Sequence, residues 1–487
     1  MLARDDMEIL TDDVAEFRKR WTRRAFLSRS GMGLGALAFS SLSARGQGAG
    51  GPEGPEGPEG IVQPLHFAPR AKRVIQLYQA GGPSHLELFD YKPKLAAMDG
   101  EPMPPSFTEG QPIAQLQGQP LKCFGPQHPF QRIGKSGQEI SMLLPHIGGI
   151  ADEIAIVRSM QTEQINHDPA HTFMNTGTQI SGRPSAGSWV WYGLGSEAED
   201  LPGFVVLVSQ GRGGQMQPIA ARQWHSGFLP SRFQGVQFRS KGDAVLYLRN
   251  PDGVTASQQR DVIDAVAALT RTSPAWIEDP EVAARLSQYE MAFRMQSSVP
   301  ALTDFSSEPQ SVREAYGVSE MDGTFAANCL LARRLAERGV RYIQLYHRDW
   351  DHHSRIKADI VMKAREVDRA SAALVKDLKE RGMLEETLVL WGGEFGRTPM
   401  AQSDGRDHHI KGFSMWLAGG GIRGGVSHGA TDELGYHAVE DVVSVHDLHA
   451  TMLYLLGIDH TRLTFKFLGR DFRLTDVKGE VVRNILA

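Results

Sequence analysis

Four short segments of this chain gather residues that could hold a metal ion or move a proton. One is His347-Arg348-Asp349-Trp350-Asp351-His352-His353. A second is Gly392-Gly393-Glu394-Phe395-Gly396-Arg397-Thr398-Pro399, and a third is Gly405-Arg406-Asp407-His408-His409. The fourth runs from Gly81 to Asp90 and carries Ser84, His85, Glu87 and Asp90. Mixed Asp, Glu and His donors suit zinc, manganese or calcium in hydrolases. Two such ions, ~4 Å apart, could polarise a phosphate or sulfate oxygen and activate an attacking oxygen. A lone loop histidine usually does nothing but face solvent. Independent loops would not often repeat the same mixture.

Each segment follows, or in the third case precedes, an apolar run that reads as a strand. Arg73 to Tyr78 precedes Gly81-Gly82-Pro83, Arg341 to Tyr346 precedes His347, and Thr387 to Trp391 precedes Gly392-Gly393. Phe413 to Ala418 comes just after His409, and Ile154 to Val157 and Phe204 to Val208 are further strand candidates. Between them lie helical stretches at 279–295, 324–338, 354–381 and 445–456. Strands alternating with helices predict an α/β fold, with a mainly parallel central sheet covered by helices on both faces. Ligands of such sheets bind beyond the carboxyl ends of the strands, where these segments sit.

Three other motifs do not hold up. Gly419, Gly421 and Gly424 match dinucleotide spacing, but no helix pattern follows and no βαβ unit surrounds them. Gly134-Lys135-Ser136 resembles the end of a P-loop, but Pro129 stands where its first glycine belongs. Gly425-Val426-Ser427-His428-Gly429 fits G-x-S-x-G, with Asp441 and His446 following in serine-hydrolase order. Ser427 lies well past the strand ending near Ala418, however, and no helix starts after it, so the elbow that exposes such a serine is missing.

The chain has 487 residues, with 52 Lys+Arg against 57 Asp+Glu, a formal charge of −5. That balance argues against nucleic acid as the main partner. Two cysteines, Cys123 and Cys329, exclude a disulfide scaffold and a cysteine-only zinc site, and leave room for one disulfide. No run approaches the ~20 apolar residues of a membrane span. At the N-terminus, Thr22-Arg23-Arg24-Ala25-Phe26-Leu27 followed by an apolar stretch from Gly31 to Leu42 reads as a twin-arginine export signal, residues 1–44. The expected location is the periplasm or the extracellular space, with a membrane tether if the signal stays uncleaved. Gly, Pro and Glu repeats make residues 45–60 a solvated linker, and residues 61–487 form the α/β domain.

At these motifs the chain resembles a known group. The first strand with GGPSHLELFD, then DWDHH, GGEFGRTP, GRDHH and the C-terminal GATDELGYHAVEDVVSVHDLHATMLYLLGIDH are similar to a bacterial family of exported proteins. That family is the domain of unknown function 1501, itself similar to sulfatases and alkaline phosphatases, and the resemblance covers nearly all of Leu77 to Ala487. It implies that the superfamily's Asp…His metal pair falls on Asp351 and His353. The next Asp-His pair falls on Glu394-Phe395, so a second metal loses one ligand. The later metal histidine falls on His408. The first-strand carboxylate has no residue at its usual position, and Glu87 or Asp90 is the nearest substitute.

The nucleophile departs most. Where sulfatases carry C-x-P-S-R and then Thr-Gly, this chain has His167-Asp168-Pro169-Ala170-His171 and then Thr176-Gly177. His167 replaces the cysteine that becomes formylglycine, and His171 replaces the arginine. Formylglycine chemistry is therefore disfavoured. His167 is open to three roles: metal ligand, phosphoryl-accepting nucleophile or general base. The resemblance implies an exported, divalent-metal-dependent hydrolase of a small anionic ester or a sulfated or phosphorylated glycan. Asp351, His353, Glu394 and His408 would bind metal with Glu87 nearby, and Arg397 and Arg406 would hold the ester. The alternative is a catalytically degenerate member that uses the pocket only to bind a ligand outside the cytoplasm.

Overall fold

The computed structural model describes residues 59–487 except 213–214, 216, 246–247, 249, 252 and 271–279. The export signal and nearly all of the Gly/Pro/Glu linker lie outside the described residues. Residues 51–245 and 255–487 form one compact unit.

The elements that matter here are strands β1 (Arg73–Gln79), β2 (Ile154–Gln161), β3 (Phe204–Ser209), β4 (Val236–Phe238), β5 (Tyr342–His347) and β6 (Thr387–Gly392). After them come β7 (Gly396–Gln402), β8 (Gly405–His409), β9 (Phe413–Ala418), β10 (Val426–His428) and β11 (Val443–Ser444). The helices are α1 (His167–Thr176), α2 (Ala186–Leu194), α3 (Pro280–Thr303), α4 (Phe325–Glu337), α5 (Ile356–Glu380) and α6 (Val445–Leu455). The central sheet runs β10-β2-β9-β6-β1-β5-β3-β4, with β11 also on β2. Pairings β1·β5, β1·β6, β3·β5 and β3·β4 are parallel. Only β9 runs against its neighbours β2 and β6. The expected mainly parallel α/β sheet is thus present, with one reversed strand inserted.

The central strands are buried along their whole length, as parallel strands covered on both faces must be. Val74, Tyr78, Val206, Tyr342 and Tyr346 share one apolar cluster with Phe173 and Met174 of α1, Trp189 and Val190 of α2, and Leu448 and Met452 of α6. The alternate residues Ile75, Leu77, Val205, Leu207, Ile343 and Leu345 point the other way and are equally buried, on the face where α4 packs against β5 and β3. Thr324 caps α4 by accepting from the Ala327 N–H, and a Ser444/Asp447 capping box opens α6. Two glutamines cross this core without being stranded. Gln344 donates to Gln76 and to Asn175 of α1, and Tyr342 donates to Gln76. These bonds tie α1 to the middle of the sheet.

One expectation is corrected by topology. The segments Gly396–Gln402 and Gly405–His409 are not loops; they pair as an antiparallel hairpin outside the main sheet. Their many polar residues are buried because other chain segments cover them, which no hydropathy pattern reveals. Ser427 sits within β10, paired in parallel with β2, so the strand-to-helix elbow is absent around it, as expected. Gly419 to Gly421 form a turn in which all three take positive φ. Cys123 and Cys329 are both buried and both free, so the one disulfide left open by the sequence does not form.

Candidate metal centre

The strands β1, β2, β3, β5 and β6 all point their carboxyl ends to the same edge of the sheet. Asp351 and His353 follow β5, Glu394 follows β6, and His167 opens α1 after β2. The β7–β8 hairpin folds over this edge and carries Arg397 and His408. Gly81, just after β1, lies so close to the backbone of Trp350 and Asp351 that a Cβ there would stand 2.6 Å from the Asp351 nitrogen. Its φ of +124° is also one that side-chain-bearing residues avoid. Glycine there lets the β1 and β5 loops touch.

His167, Asp351, His353 and His408 bring one donor atom each to within 4.8 Å of one another. The His353 Nε2 lies 2.8 Å from Asp351 Oδ1 and 3.0 Å from the His408 Nε2. The His408 Nε2 lies 3.5 Å from Asp351 Oδ1, and the His167 Nε2 3.3 Å from Asp351 Oδ2. Three imidazoles therefore turn the same nitrogen toward one carboxylate. Their other nitrogens are each occupied from behind. His408 Nδ1 donates to the Ile165 carbonyl at 2.8 Å, His353 Nδ1 donates to Gln402 Oε1, and His167 Nδ1 meets Glu394 Oε1 at 2.6 Å. Outer partners of this kind hold ligating imidazoles in one tautomer and one orientation.

Glu394 is fully buried, and accepts from the Gly81 N–H at 3.0 Å. Burial opposes its ionisation, but His171 and His167 outweigh that and hold its carboxyl below the usual range. Burial likewise opposes ionisation of Asp351. The Arg397 guanidinium and the three imidazoles overcome it and push that carboxyl far below the ordinary carboxylate value. Burial lowers His408 to about 4, so its imidazole is neutral near pH 7. His167 loses solvation as well, yet the carboxylates on either side raise its pKa overall.

The other expected residues fall elsewhere. Glu87 is buried, pairs with Arg406 at 2.7 Å and accepts from the Gln127 N–H; it belongs to neither donor group around His167. Arg406 is buried too, with the carbonyls of Phe124, Thr398 and Gly125 taking its remaining N–H groups. Arg397 bonds Asp351 Oδ1 at 2.5 Å and the carbonyls of Gly81, Gly82 and Arg406. Arg406 has no N–H left, and Arg397 is fully buried with four of its five N–H groups engaged, so neither presents an open fork to an ester, which corrects the clamp expected of them. Arg397 orients Asp351, and Arg406 is a strut between the Glu87 helical turn, the Phe124–Gly125 segment and the hairpin. Asp90, the other substitute carboxylate, is held by Lys92 at 3.0 Å and by the Thr431 hydroxyl.

Two groups were not legible as site residues. His171, Glu394 and His167 form a second set of donor atoms within 4.8 Å. His171 is buried, its Nδ1 bonded to the Tyr78 hydroxyl at 2.9 Å, and burial lowers it to about 4. The signal for it was the four-residue spacing of His167 and His171, which puts both on one face of a helix. Pro169 in the first turn and Gly177 just past the end, with φ +70°, mark that helix. The second group is Gln217, whose amide donates to Asp351 Oδ2 at 2.9 Å.

Comparison with known proteins places the chain. Among solved structures it is similar to Ps i-CgsB in complex with k-i-k-neocarrahexaose, at 10% identity and a TM-score of 0.35, covering 80% of this chain and 72% of the other. It is also similar to the PsFucS1 sulfatase from Pseudoalteromonas sp., at 12% identity and a TM-score of 0.33, covering 80% and 68%. A protein in the alkaline phosphatase superfamily from Vibrio parahaemolyticus is similar at 9% identity and a TM-score of 0.32, covering 87% and 74%. No curated protein matches the chain. The sequence profile of the DUF1501 family, described as a protein of unknown function, matches residues 71–486, and the chain belongs to that family.

Proposed function

We propose that this chain is an exported, metal-dependent hydrolase of a phosphate or sulfate ester. The observation that carries the reading is the convergence of three Nε2 atoms on Asp351. His408 must carry its proton on Nδ1, because the Ile165 carbonyl can only accept. Its bare Nε2 then faces that of His353 at 3.0 Å. With Nδ1 of His353 also donating outward, the two lone pairs repel unless a proton or a cation lies between them. The His167 Nε2 is buried and points at Asp351 Oδ2 from 3.3 Å. Three nitrogens and one carboxylate oxygen suit zinc or manganese better than calcium, which prefers all-oxygen shells.

Asp351, His353, His408 and His167 would hold the cation, whose chemistry there is Lewis-acid polarisation of a phosphoryl or sulfuryl oxygen. Glu394 holds the His167 ring, and Arg397 with Gln217 holds the carboxylate of Asp351. Arg397 also balances one of the two buried negative charges. His167 and His353 keep about a tenth of their side-chain surface open to solvent, while Asp351, Arg397 and Glu394 form the floor. An ester would approach from the histidine side, and a phosphorylated or sulfated glycan is a substrate of fitting charge. Export rests on Arg23 and Arg24 alone.

The test is elemental analysis of the purified protein, followed by p-nitrophenyl phosphate and p-nitrophenyl sulfate turnover with zinc, manganese or calcium. Bound metal with metal-dependent turnover supports the reading, and a protein that binds none of the three overturns it. One observation favours the second reading, a binding protein without turnover: His167 stands where sulfatases carry the cysteine that becomes formylglycine. Metal-loaded protein that binds phosphate or sulfate but turns over neither ester would select it.

A further inference from the structure

A chain of amide hydrogen bonds runs outward from the cluster and returns to it with a donor at its mouth. His353 Nδ1 needs an acceptor behind it and finds Gln402 Oε1. That choice turns the Gln402 amide nitrogen toward Gln115, where it donates to Oε1 at 2.8 Å. Gln115 therefore presents its own amide nitrogen to the site, 3.4 Å from the His353 Nε2. The orientation of both amides follows from the chain of donors and acceptors, starting from the histidine.

The backbone of Gln115 is equally well placed. Its N–H and that of Leu116 both donate to Asp407 Oδ2, at 2.6 and 2.9 Å. Asp407 is buried and uses its other oxygen to accept from the His408 N–H at 2.8 Å. One carboxylate thus fixes the loop that carries Gln115 relative to the strand that carries His408. The buried Leu116 side chain anchors the same loop in an apolar cluster with Leu95, Met103 and Met400. Gln115 itself is exposed. It is a side chain at the open mouth of the cluster, held by a rigid backbone, and aimed inward with a donor.

We propose that Gln115 is a substrate-binding residue, whose amide N–H donates to an oxygen of an anionic ester or oxyanion seated against the cation. The inference rests on the metal-centre reading above. Its physical content is that the guanidinium groups of Arg397 and Arg406 are consumed by the fold, so recognition of a tetrahedral oxyanion falls to a neutral amide beside the cation. A neutral donor admits both phosphate and sulfate, whereas a free arginine would favour the more highly charged phosphate.

The test is calorimetric binding of inorganic phosphate and of sulfate to the zinc-loaded full chain, with zinc content measured on each sample. Gln115→Ala keeps the backbone bonds to Asp407. It should keep its zinc and bind both anions about tenfold more weakly, as loss of one hydrogen bond to a charged group at an open site. Gln115→Glu should keep zinc and bind neither anion, because a carboxylate then faces the oxyanion. Unchanged anion affinity in Gln115→Ala overturns the proposal. So does loss of zinc in Gln115→Ala, which would make the residue a ligand. If the unsubstituted chain takes up zinc but binds neither anion, the proposal and the ester-hydrolase reading fall together. If it takes up no zinc, the metal centre itself is wrong.

Discussion

The Nε2 atoms of His353 and His408 face one another at 3.0 Å, 55 residues apart in the chain, each ring braced from behind by an oxygen. With both Nδ1 atoms donating outward, the two bare Nε2 atoms have no hydrogen bond to make with each other. The arrangement makes sense as half of a coordination shell, with Asp351 and His167 as the other half.

Ligand and brace should therefore behave differently. His408→Ala removes a donor from the shell and should abolish stoichiometric zinc. Glu394→Gln keeps the volume and an acceptor oxygen for the His167 N–H but removes the charge. It should weaken zinc about 10- to 100-fold, the effect of an outer partner. Competition titration against a chromophoric chelator distinguishes the two, and equal affinities in both variants would remove the distinction between ligand and brace.

Arg406→Ala should cost stability rather than substrate affinity. It strands the fully buried Glu87 carboxylate and three carbonyl acceptors. Breaking one side of a buried pair costs about 3–5 kcal/mol. The urea midpoint should fall sharply, while phosphate binding by whatever fraction folds should match that of the parent chain. A stable variant with weakened phosphate binding would restore Arg406 as a clamp.

Acid should destabilise the fold through a histidine far in sequence from the cluster. His449 is fully buried, donates from Nε2 to the Met174 carbonyl, and is lowered to about 3 by burial. Its folded pKa lies below the unfolded value, so the unfolded chain binds the extra proton. The stability contributed by the neutral form is complete above about pH 6.5 and is lost as pH falls from there toward 3. Between pH 7 and pH 5 the loss from this one group should be about 2 kcal/mol. His449→Gln, which does not titrate, should shrink the acid-side loss by about that amount in urea titrations at the two pH values. An unchanged pH dependence would place the titration elsewhere.

Replacing Arg23 and Arg24 by lysine should retain the protein in the cytoplasm if the twin-arginine route carries it. Cell fractionation of the double variant reads this directly. Appearance outside the inner membrane would remove the export assignment.

The sheet was legible because its strands are continuous apolar runs and its helices carry their own start and stop signals. Residues 342–346 of the expected 341–346 strand, and 387–391, form the cores of β5 and β6, and the long helix stops one residue before the end expected of it. The segments that carry Asp351, His353 and His408 also stood out, since side-chain type and position after or before a strand are local properties of the sequence; the family resemblance singled out those three residues. What the sequence could not carry was the pairing of distant polar groups. Arg397 and Arg406 look like free cations in a linear reading. Only the folded hairpin shows that both are buried and bonded to carbonyls of Gly81, Gly82, Phe124, Thr398 and Gly125. His171 was visible only as the residue standing where sulfatases carry an arginine, and Gln115 lies in a stretch whose composition suggests nothing. Their roles come from a helix face turned toward Glu394 and a loop clamped by Asp407. Backbone propensity and hydropathy act over a few residues, so they are written locally. A coordination shell depends on directions and distances among groups hundreds of residues apart, and tertiary packing alone sets those.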